Sequence, residues 1–345
     1  MSGGSATADA VVVGEGARIV HVGAADELPA AWVDLLPPPS DDLLLPGLVD
    51  VHCHGGGGAS FPDAQDAAEV RAAAAEHLTH GTTSLVASLV TASTDVLLAR
   101  TALLADVVEA GDLVGIHLEG PFLSPDRRGA QNAADMRAGD VRLVEAVAQA
   151  ARGSLRTMTV APEIPGVADG TGPDDDVLAA LVRAGALPSI GHTDAGFEQV
   201  AAAIERTRAL LAGSRRLSAT HLFNGMRPWH HREPGPVPAC LDAAARGELV
   251  VELVADGTHL GDGTVKAVFD LLGPDRVALV TDAMAAAGMA DGEYRLGPLE
   301  VRVLDGVARL RTTDGTDGAI AGGTAHLLDV VRAVVGAGVP LTAAV

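Results

Sequence analysis

The sequence predicts an α/β protein built as a (β/α)8 TIM-type barrel, and three observations carry that prediction. From Leu43 onward, short Val/Leu/Ile-rich runs alternate with alanine-rich stretches of helical length. Such alternation implies βα units and a parallel sheet. The unit recurs eight times, which favours a closed barrel over an open, doubly wound sheet. Most of the runs also end on His, Glu or Asp. In a barrel the C-terminal ends of all strands meet on one face, so these residues would converge.

Taken in order, residues 10–24 read as two short strands around Gly14-Glu15-Gly16, followed by a loop at Pro37-Pro38-Pro39-Ser40-Asp41-Asp42. The barrel strands end near His52/His54, near Val90-Thr91, at Glu119, near Ala161-Pro162-Glu163, at His192, at His221, at His259 and at Asp282. Helices are expected at 64–80, 94–110, 140–151, 175–184, 196–212, 237–246, 264–272 and 325–335. Gly81, Gly111 and Gly153 follow three of them, as glycine follows helix ends that need a left-handed residue. Ala321-Gly322-Gly323-Thr324 reads as a flexible turn before the last helix. The expected division is 1–45 for the N-terminal strands of a small β-sandwich and 46–345 for the barrel. No short repeat is evident, which argues against a solenoid.

Composition narrows the function. Hydrophobic residues are 48% and aromatics only 2%, so Ala, Val and Leu must fill the core. No apolar run reaches the ~18 residues of a membrane span. The start, Met1-Ser2-Gly3-Gly4-Ser5, lacks the basic and apolar segments of a secretory signal. Cys53 and Cys240 are too few for a disulfide framework and suit a cytoplasmic protein. A net charge of −21 excludes ordinary nucleic-acid binding, which needs clustered Lys and Arg. It also means that an anionic substrate must be held by a few local cations, and Arg232 beside His230 and His231 is such a group.

His52 and His54 are two apart on a strand and so point to the same side. Together with Glu119, His192, His221, His259 and Asp282 they form a set of imidazoles and carboxylates at successive strand ends. This is the donor set of a catalytic zinc or similar divalent ion, which lowers the pKa of a water to about 7. A separate carboxylate must then move the proton, and Asp282 is the candidate. Cys53, between the two histidines, should face away into the barrel wall.

The stretches PGLVDVHCHG (46–55), HLEGPFL (117–123), GHTDA (191–195), THLFNGM (220–226), REPG (232–235), ADGTHL (255–260) and VTDAM (280–284) resemble the amidohydrolase superfamily. Within it they are similar to the N-acetylglucosamine-6-phosphate deacetylase family, over roughly residues 10–340. The resemblance implies hydrolysis of the acetamide of N-acetylglucosamine 6-phosphate to glucosamine 6-phosphate and acetate. It implies Glu119, His192 and His221 as ligands of the principal metal. It also implies His52 and His54 as holders of a second ion, with Glu119 bridging. The ion is expected to be zinc, with iron or another divalent ion open, and one or two ions are compatible. Asp282 matches the catalytic acid/base. His259 and Arg232 match substrate contacts, Arg232 near the phosphate, and Asn224 and Gly225 match contacts to the same region. The implied partner is a phosphorylated amino sugar, with neither nucleic acid nor membrane, and the implied assembly is a homodimer.

Two departures from the family pattern stand out. Gln131 occupies the place where many relatives have a substrate-contacting histidine, and an amide carries no charge. The chain also ends in what reads as the start of a helix, at Leu341-Thr342-Ala343-Ala344-Val345, and its N-terminal part is about one strand short. The small sandwich is therefore expected to be incomplete, with exposed edges. Two other readings stay open on sequence alone. One is a different amidohydrolase chemistry, such as cyclic-amide hydrolysis or nucleobase deamination. The other is a barrel that binds metal without catalysis.

Overall fold

The computed structural model describes residues 6–213, 215–312 and 316–345. It opens with an antiparallel hairpin, β1 (Ala10–Glu15) and β2 (Arg18–Ala24), and a short helix α1 (Ala30–Val33). The barrel starts at β3 (Leu48–Cys53). A small loop hairpin follows, β4 (Gly55–Gly56) with β5 (Ala59–Ser60). Then come α2 (Ala67–Thr79), β6 (Thr82–Leu89), α3 (Thr94–Glu109), β7 (Gly115–Glu119), α4 (Val141–Ala151), β8 (Leu155–Val160) and α5 (Val177–Arg183). The second half continues with β9 (Leu187–Ile190), α6 (Phe197–Leu210), β10 (Leu217–Ala219), α7 (Pro236–Ala245), β11 (Leu249–Leu253), α8 (Asp262–Leu272) and β12 (Val277–Leu279).

The eight parallel strands run in the order β12-β11-β10-β9-β8-β7-β6-β3. The two ends of that order meet beyond Leu279: Asp282 N donates to His52 O (2.9 Å) and His54 N to Ala283 O (2.7 Å). The barrel thus closes where the first and last strands carry His52, His54 and Asp282. The expected barrel is the observed one, and each expected helix lies within a few residues of its place.

Local chemistry explains the helix bounds. Asp66 accepts from Ala68 N and Glu69 N at the start of α2, and Asp140 accepts from Arg142 N and Leu143 N at the start of α4. These carboxylates satisfy donors that a helix start leaves bare. Gly81 and Gly153 follow the helix ends at φ +91° and +85°, where an L side chain is strained.

Between β12 and α9 (Leu327–Gly336) lies a four-stranded antiparallel sheet of β13 (Gly292–Leu296), β14 (Leu299–Leu304), β15 (Val307–Arg311) and β16 (Asp317–Ile320). The chain closes with α10 (Leu341–Ala344). The sequence reading had no strands between Asp282 and the last helix. The signal was the alternation Val301, Val303 (buried) against Arg302, Leu304 (exposed), with turns at Gly297-Pro298 and Asp305-Gly306. Residues 321–324 are likewise more than a flexible turn. Gly323 N donates to Asp282 O (2.7 Å), Ala283 bridges Gly323 in parallel, and Ala321 is fully buried.

The core is aliphatic, as the composition requires, with Phe61 and Phe122 among its largest fully buried side chains. No helix of the described residues is long and apolar enough to cross a membrane. Around the N-terminal hairpin, Ile19, Val22, Leu35, Leu43 and Leu44 are exposed. No further strand pairs with that hairpin among the described residues.

Both cysteines are buried and unpaired with each other. Cys53 points away from the strand-end cluster, with its Sγ 3.2 Å from His77 Nε2 of α2. Burial pushes the Cys240 thiol up to about 12, and burial together with the Asp50 charge pushes Cys53 higher still. Because the thiolate is the reactive form, the native protein at pH 8 is expected to show no rapidly reacting thiol toward a disulfide reagent. Two should appear in denaturant. Fast labelling of either cysteine in the native state would contradict this burial.

Candidate metal centre and active site

The barrel brings His52, His54, Glu119, His192, His221 and Asp282 together at the C-terminal ends of β3, β7, β9, β10 and β12. All of them except Asp282 are among the buried residues. Glu119 is the hub. Its Oε1 lies 2.8 Å from His192 Nε2 and 2.8 Å from His221 Nε2, and its Oε2 lies 3.2 Å from His54 Nε2. Asp282 Oδ1 is 3.3 Å from both His52 Nε2 and His54 Nε2.

The backbone is bent to achieve this. His192, His221 and Asp282 adopt positive φ (+46°, +29° and +48°), a region that costs non-glycine residues free energy and clusters at functional sites. Gly225 (φ +59°) lies over the His192 ring, where a Cβ would come within 2.8 Å of Nδ1. Glycine is required there for the loop after β10 to cover the site.

The hydrogen bonds also fix the imidazole tautomers. His192 Nδ1 faces the Arg127 carbonyl (2.8 Å), His54 Nδ1 the Ser88 carbonyl (3.2 Å) and His52 Nδ1 a carboxylate oxygen of Glu252 (3.1 Å). Carbonyl and carboxylate oxygens only accept, so each Nδ1 carries a hydrogen, and each imidazole, when neutral, presents its Nε2 lone pair inward. Those inward nitrogens crowd one another: His52 and His54 Nε2 are 3.2 Å apart, as are His192 and His221 Nε2. Facing lone pairs at that distance need positive charge between them, either protons or a cation. Of the buried groups with metal-ligand character among the described residues, two lie in this cluster, His52/His54/Glu119 and Glu119/His192/His221, and a third, Asp50/Cys53/His77, lies behind β3. A hydrogen-bonded Nδ1 behind an inward Nε2 is how metal-binding histidines are held. The residues fit a divalent ion.

Electrostatics agree. Burial alone would raise the Asp282 carboxyl, but the His52 and His54 charges hold it well below the usual range. Burial opposes charge on Glu119 too, and His192, His221 and His54 overcome it, keeping the carboxyl ionised.

Three groups at the site were not singled out from sequence. Glu252 on β11 is buried and bonds His52 Nδ1, His221 N (3.3 Å) and Ser218 Oγ (3.1 Å). Asp50 accepts from Thr281 Oγ1 (2.6 Å) and His52 N (3.2 Å) and so ties β3 to the end of β12. His117 stacks edge-on against His52, with ring centroids 4.5 Å apart, and burial together with the His52 charge holds it neutral. The available signals were a lone charge within Leu249-Val250-Val251-Glu252-Leu253 and the i−2 spacing of Asp50 to His52 and of His117 to Glu119.

The expected substrate contacts are less concentrated. Asn224 Nδ2 donates to His221 O (3.2 Å), on the loop over the site. His259 Nδ1 donates to Asp256 Oδ2 (2.8 Å) just beyond the end of β11. Arg232 is exposed, and the described residues that bond it are His231 (Nη1 to Nε2, 2.8 Å) and His230. Arg127 and Arg227, by contrast, are both committed to Asp194 at 2.7 and 2.6 Å. Gln131 is buried, with both ends of its amide bonded within the protein. Thr91 N donates to its Oε1 (2.8 Å), and its Nε2 donates to Glu119 Oε2 (2.5 Å).

Comparison with known proteins matches this geometry. The model of the amidohydrolase family covers residues 43–345. The N-acetylglucosamine-6-phosphate deacetylase of Bacillus subtilis is 36% identical over 299 residues, 82% of this chain and 67% of the relative. The N-acetylgalactosamine-6-phosphate deacetylase of Escherichia coli O157:H7 is 31% identical, over 85% of this chain and 72% of the relative. Among solved structures, a mutant N-acetyl-D-glucosamine-6-phosphate deacetylase of Mycobacterium smegmatis, in complex with N-acetyl-D-glucosamine-6-phosphate, superposes with a TM-score of 0.80. It is 41% identical and covers 95% of this chain and 80% of that one. The barrel, its strand-end donor set and these likenesses place the chain in the amidohydrolase family.

Proposed function

We propose that this protein hydrolyses the acetamide of N-acetylglucosamine 6-phosphate, giving glucosamine 6-phosphate and acetate. The observation that carries the reading is Glu119 bonded at once to His192, His221 and His54, with Asp282 3.3 Å from both His52 and His54. The names of the relatives and of the superposed structure supply the substrate class.

Glu119, His192 and His221 would hold one divalent ion, zinc by the nitrogen and oxygen character of the set. His52 and His54, with the other oxygen of Glu119, would hold a second. A divalent ion there acidifies water and polarises a carbonyl oxygen. The chain's own residues supply the rest. Asp282, ionised at neutral pH, accepts the proton of the attacking water on its carboxylate. It then delivers that proton to the amide nitrogen as the C–N bond breaks, because an unprotonated amine is a poor leaving group. Asp282 Oδ1 lies 3.3 Å from His52 Nε2 and from His54 Nε2, on their side of the site. Arg232 touches no carboxylate among the described residues and is free to take the substrate phosphate with its planar donors. Asn224, Gly225 and His259 complete the substrate side, and Asp256 fixes the His259 tautomer so that Nε2 faces outward from that pair.

The test is acetate release from N-acetylglucosamine 6-phosphate beside unphosphorylated N-acetylglucosamine, with metal content measured on the same sample. Turnover of the phosphorylated sugar far above that of the unphosphorylated one is expected. Arg232→Ala should raise KM for the phosphorylated substrate by about 10–100-fold, as loss of a charge-assisted contact does, and leave the slow reaction of the unphosphorylated sugar unchanged. Equal turnover of both sugars by the wild-type protein would remove the phosphate from the reading.

A further inference from the structure

We infer that Gln131 is a positioning residue that locks the Glu119 carboxylate and thereby sets how tightly the site holds its ions. The inference rests on the metal-dependent reading above but concerns a residue outside the proposed ligand set.

Glu119 has four imidazoles around it and a side chain with three rotatable bonds. Its Oε1 is shared by His192 and His221, and its Oε2 is turned toward His54. What keeps the two oxygens from exchanging roles is a neutral donor. Gln131 Nε2 donates to Oε2 at 2.5 Å. The amide cannot flip, because its Oε1 accepts the backbone N–H of Thr91 at 2.8 Å. A flipped amide would set N–H against N–H and oxygen against carboxylate. The Thr91 hydroxyl closes the ring by donating to the Glu119 carbonyl at 3.1 Å. Gln131 itself is held by its own N–H on Arg128 O (2.9 Å) and is 5% exposed. The end of β6, the end of β7 and the loop after β7 are thus joined in one closed, dry hydrogen-bond ring whose product is a fixed carboxylate orientation.

The chemistry of the amide suits that task. It gives a hydrogen bond to Oε2 without adding charge beside the ions, so it orients the ligand without repelling what the ligand binds. Both its ends are engaged by protein, so one N–H and one oxygen lone pair of the amide are committed before any substrate arrives. Partners of this kind, behind a metal-ligating side chain, typically govern about 10–100-fold in metal affinity.

The experiment uses the full chain, stripped with chelator and titrated with Zn2+ against a competing chromophoric chelator. The Co2+ visible spectrum is recorded as a second readout. Gln131→Leu is expected to bind Zn2+ about 10–100-fold more weakly than wild type and to shift the Co2+ bands. Gln131→Met, flexible and similar in size, serves if the leucine variant fails to fold, and the same loss is expected of it. Asn132→Ala, at the neighbouring position with no bond to Glu119, should bind Zn2+ as wild type does. Variants at 131 that bind Zn2+ within twofold of wild type while KM rises would make Gln131 a substrate contact and overturn the inference. An equal loss in Asn132→Ala would reduce the effect to general loosening of the loop and overturn it as well. Wild-type protein that takes up no Zn2+ or Co2+ would overturn the metal reading itself, and acetate release tests the deacetylase reading separately.

Discussion

Replacement of Asp282 by asparagine is expected to lower kcat by about 10²–10⁴-fold, the usual worth of a positioned acid–base group, while the metal stays bound. The reason is geometric. The Asp282 peptide is pinned on both sides, its N–H donating to His52 O at 2.9 Å and its carbonyl accepting from Gly323 N at 2.7 Å. An asparagine at the same φ of +48° keeps the shape and one acceptor oxygen, and Asn tolerates the left-handed region well. What it loses is basicity. The wild-type carboxyl stays ionised in the ion-free protein despite burial, so it has an oxygen that can take a proton and hand it on. An amide does not. KM should change little if substrate is held by Arg232 and the loop after β10. Steady-state kinetics and metal content on one preparation decide the matter. Activity within tenfold of wild type would remove Asp282 from proton transfer. Loss of the metal would make it a ligand rather than a base.

The barrel was legible in the sequence because its period is coarse and regular: eight apolar runs, eight alanine-rich helices and glycines where the helices stop. The principal site was legible for a related reason. His52, His54, Glu119, His192, His221 and Asp282 are polar residues that end apolar strands, and topology alone brings strand ends together. What escaped was of two kinds. Glu252, Asp50 and His117 lie inside strands rather than at their ends, so they read as interruptions of a core and not as its chemistry. Their role appears only once β3, β11 and β12 are placed around one axis. The sheet of β13 to β16 escaped because its strands alternate polar and apolar residues, unlike the continuous apolar runs of the barrel strands. Gln131 was placed among substrate contacts by resemblance. Its partners Thr91 and Glu119 are 40 and 12 residues away in sequence, and no local pattern announces such a ring.

Glu119→Gln is expected to have the largest effect on the metal centre, because one charge serves both halves of it. Breaking a buried charge pair by removing one partner costs about 3–5 kcal/mol, which in ion affinity would be roughly two to three and a half powers of ten. The same substitution should change how ion binding couples to protons. Without an ion, burial works against charge on His54 and His221. Hydrogen bonds to Asp282 and Glu119 nonetheless raise His54 to about 10, and Glu119 above all raises His221 to about 9. Both are therefore protonated at pH 7.5, whereas a metal ligand must be the neutral imidazole. Ion uptake by the wild-type protein should then expel about two protons. Titration calorimetry in buffers of different ionisation enthalpy would count them. The sign for stability follows from the raised values. The bound protons stabilise the ion-free fold fully below the ordinary histidine range near 6.5. That contribution is lost as pH climbs through 9 to 10, while ion affinity rises over the same interval. In Glu119→Gln the main anion that holds the His221 proton is gone while Asp282 remains beside His54, so fewer protons should be expelled and the ion-free melting temperature should depend less on pH between 6.5 and 10. Wild-type ion binding with no proton release would mean that His54 and His221 are already neutral, and that Asp282 and Glu119 do not hold them charged in the ion-free protein.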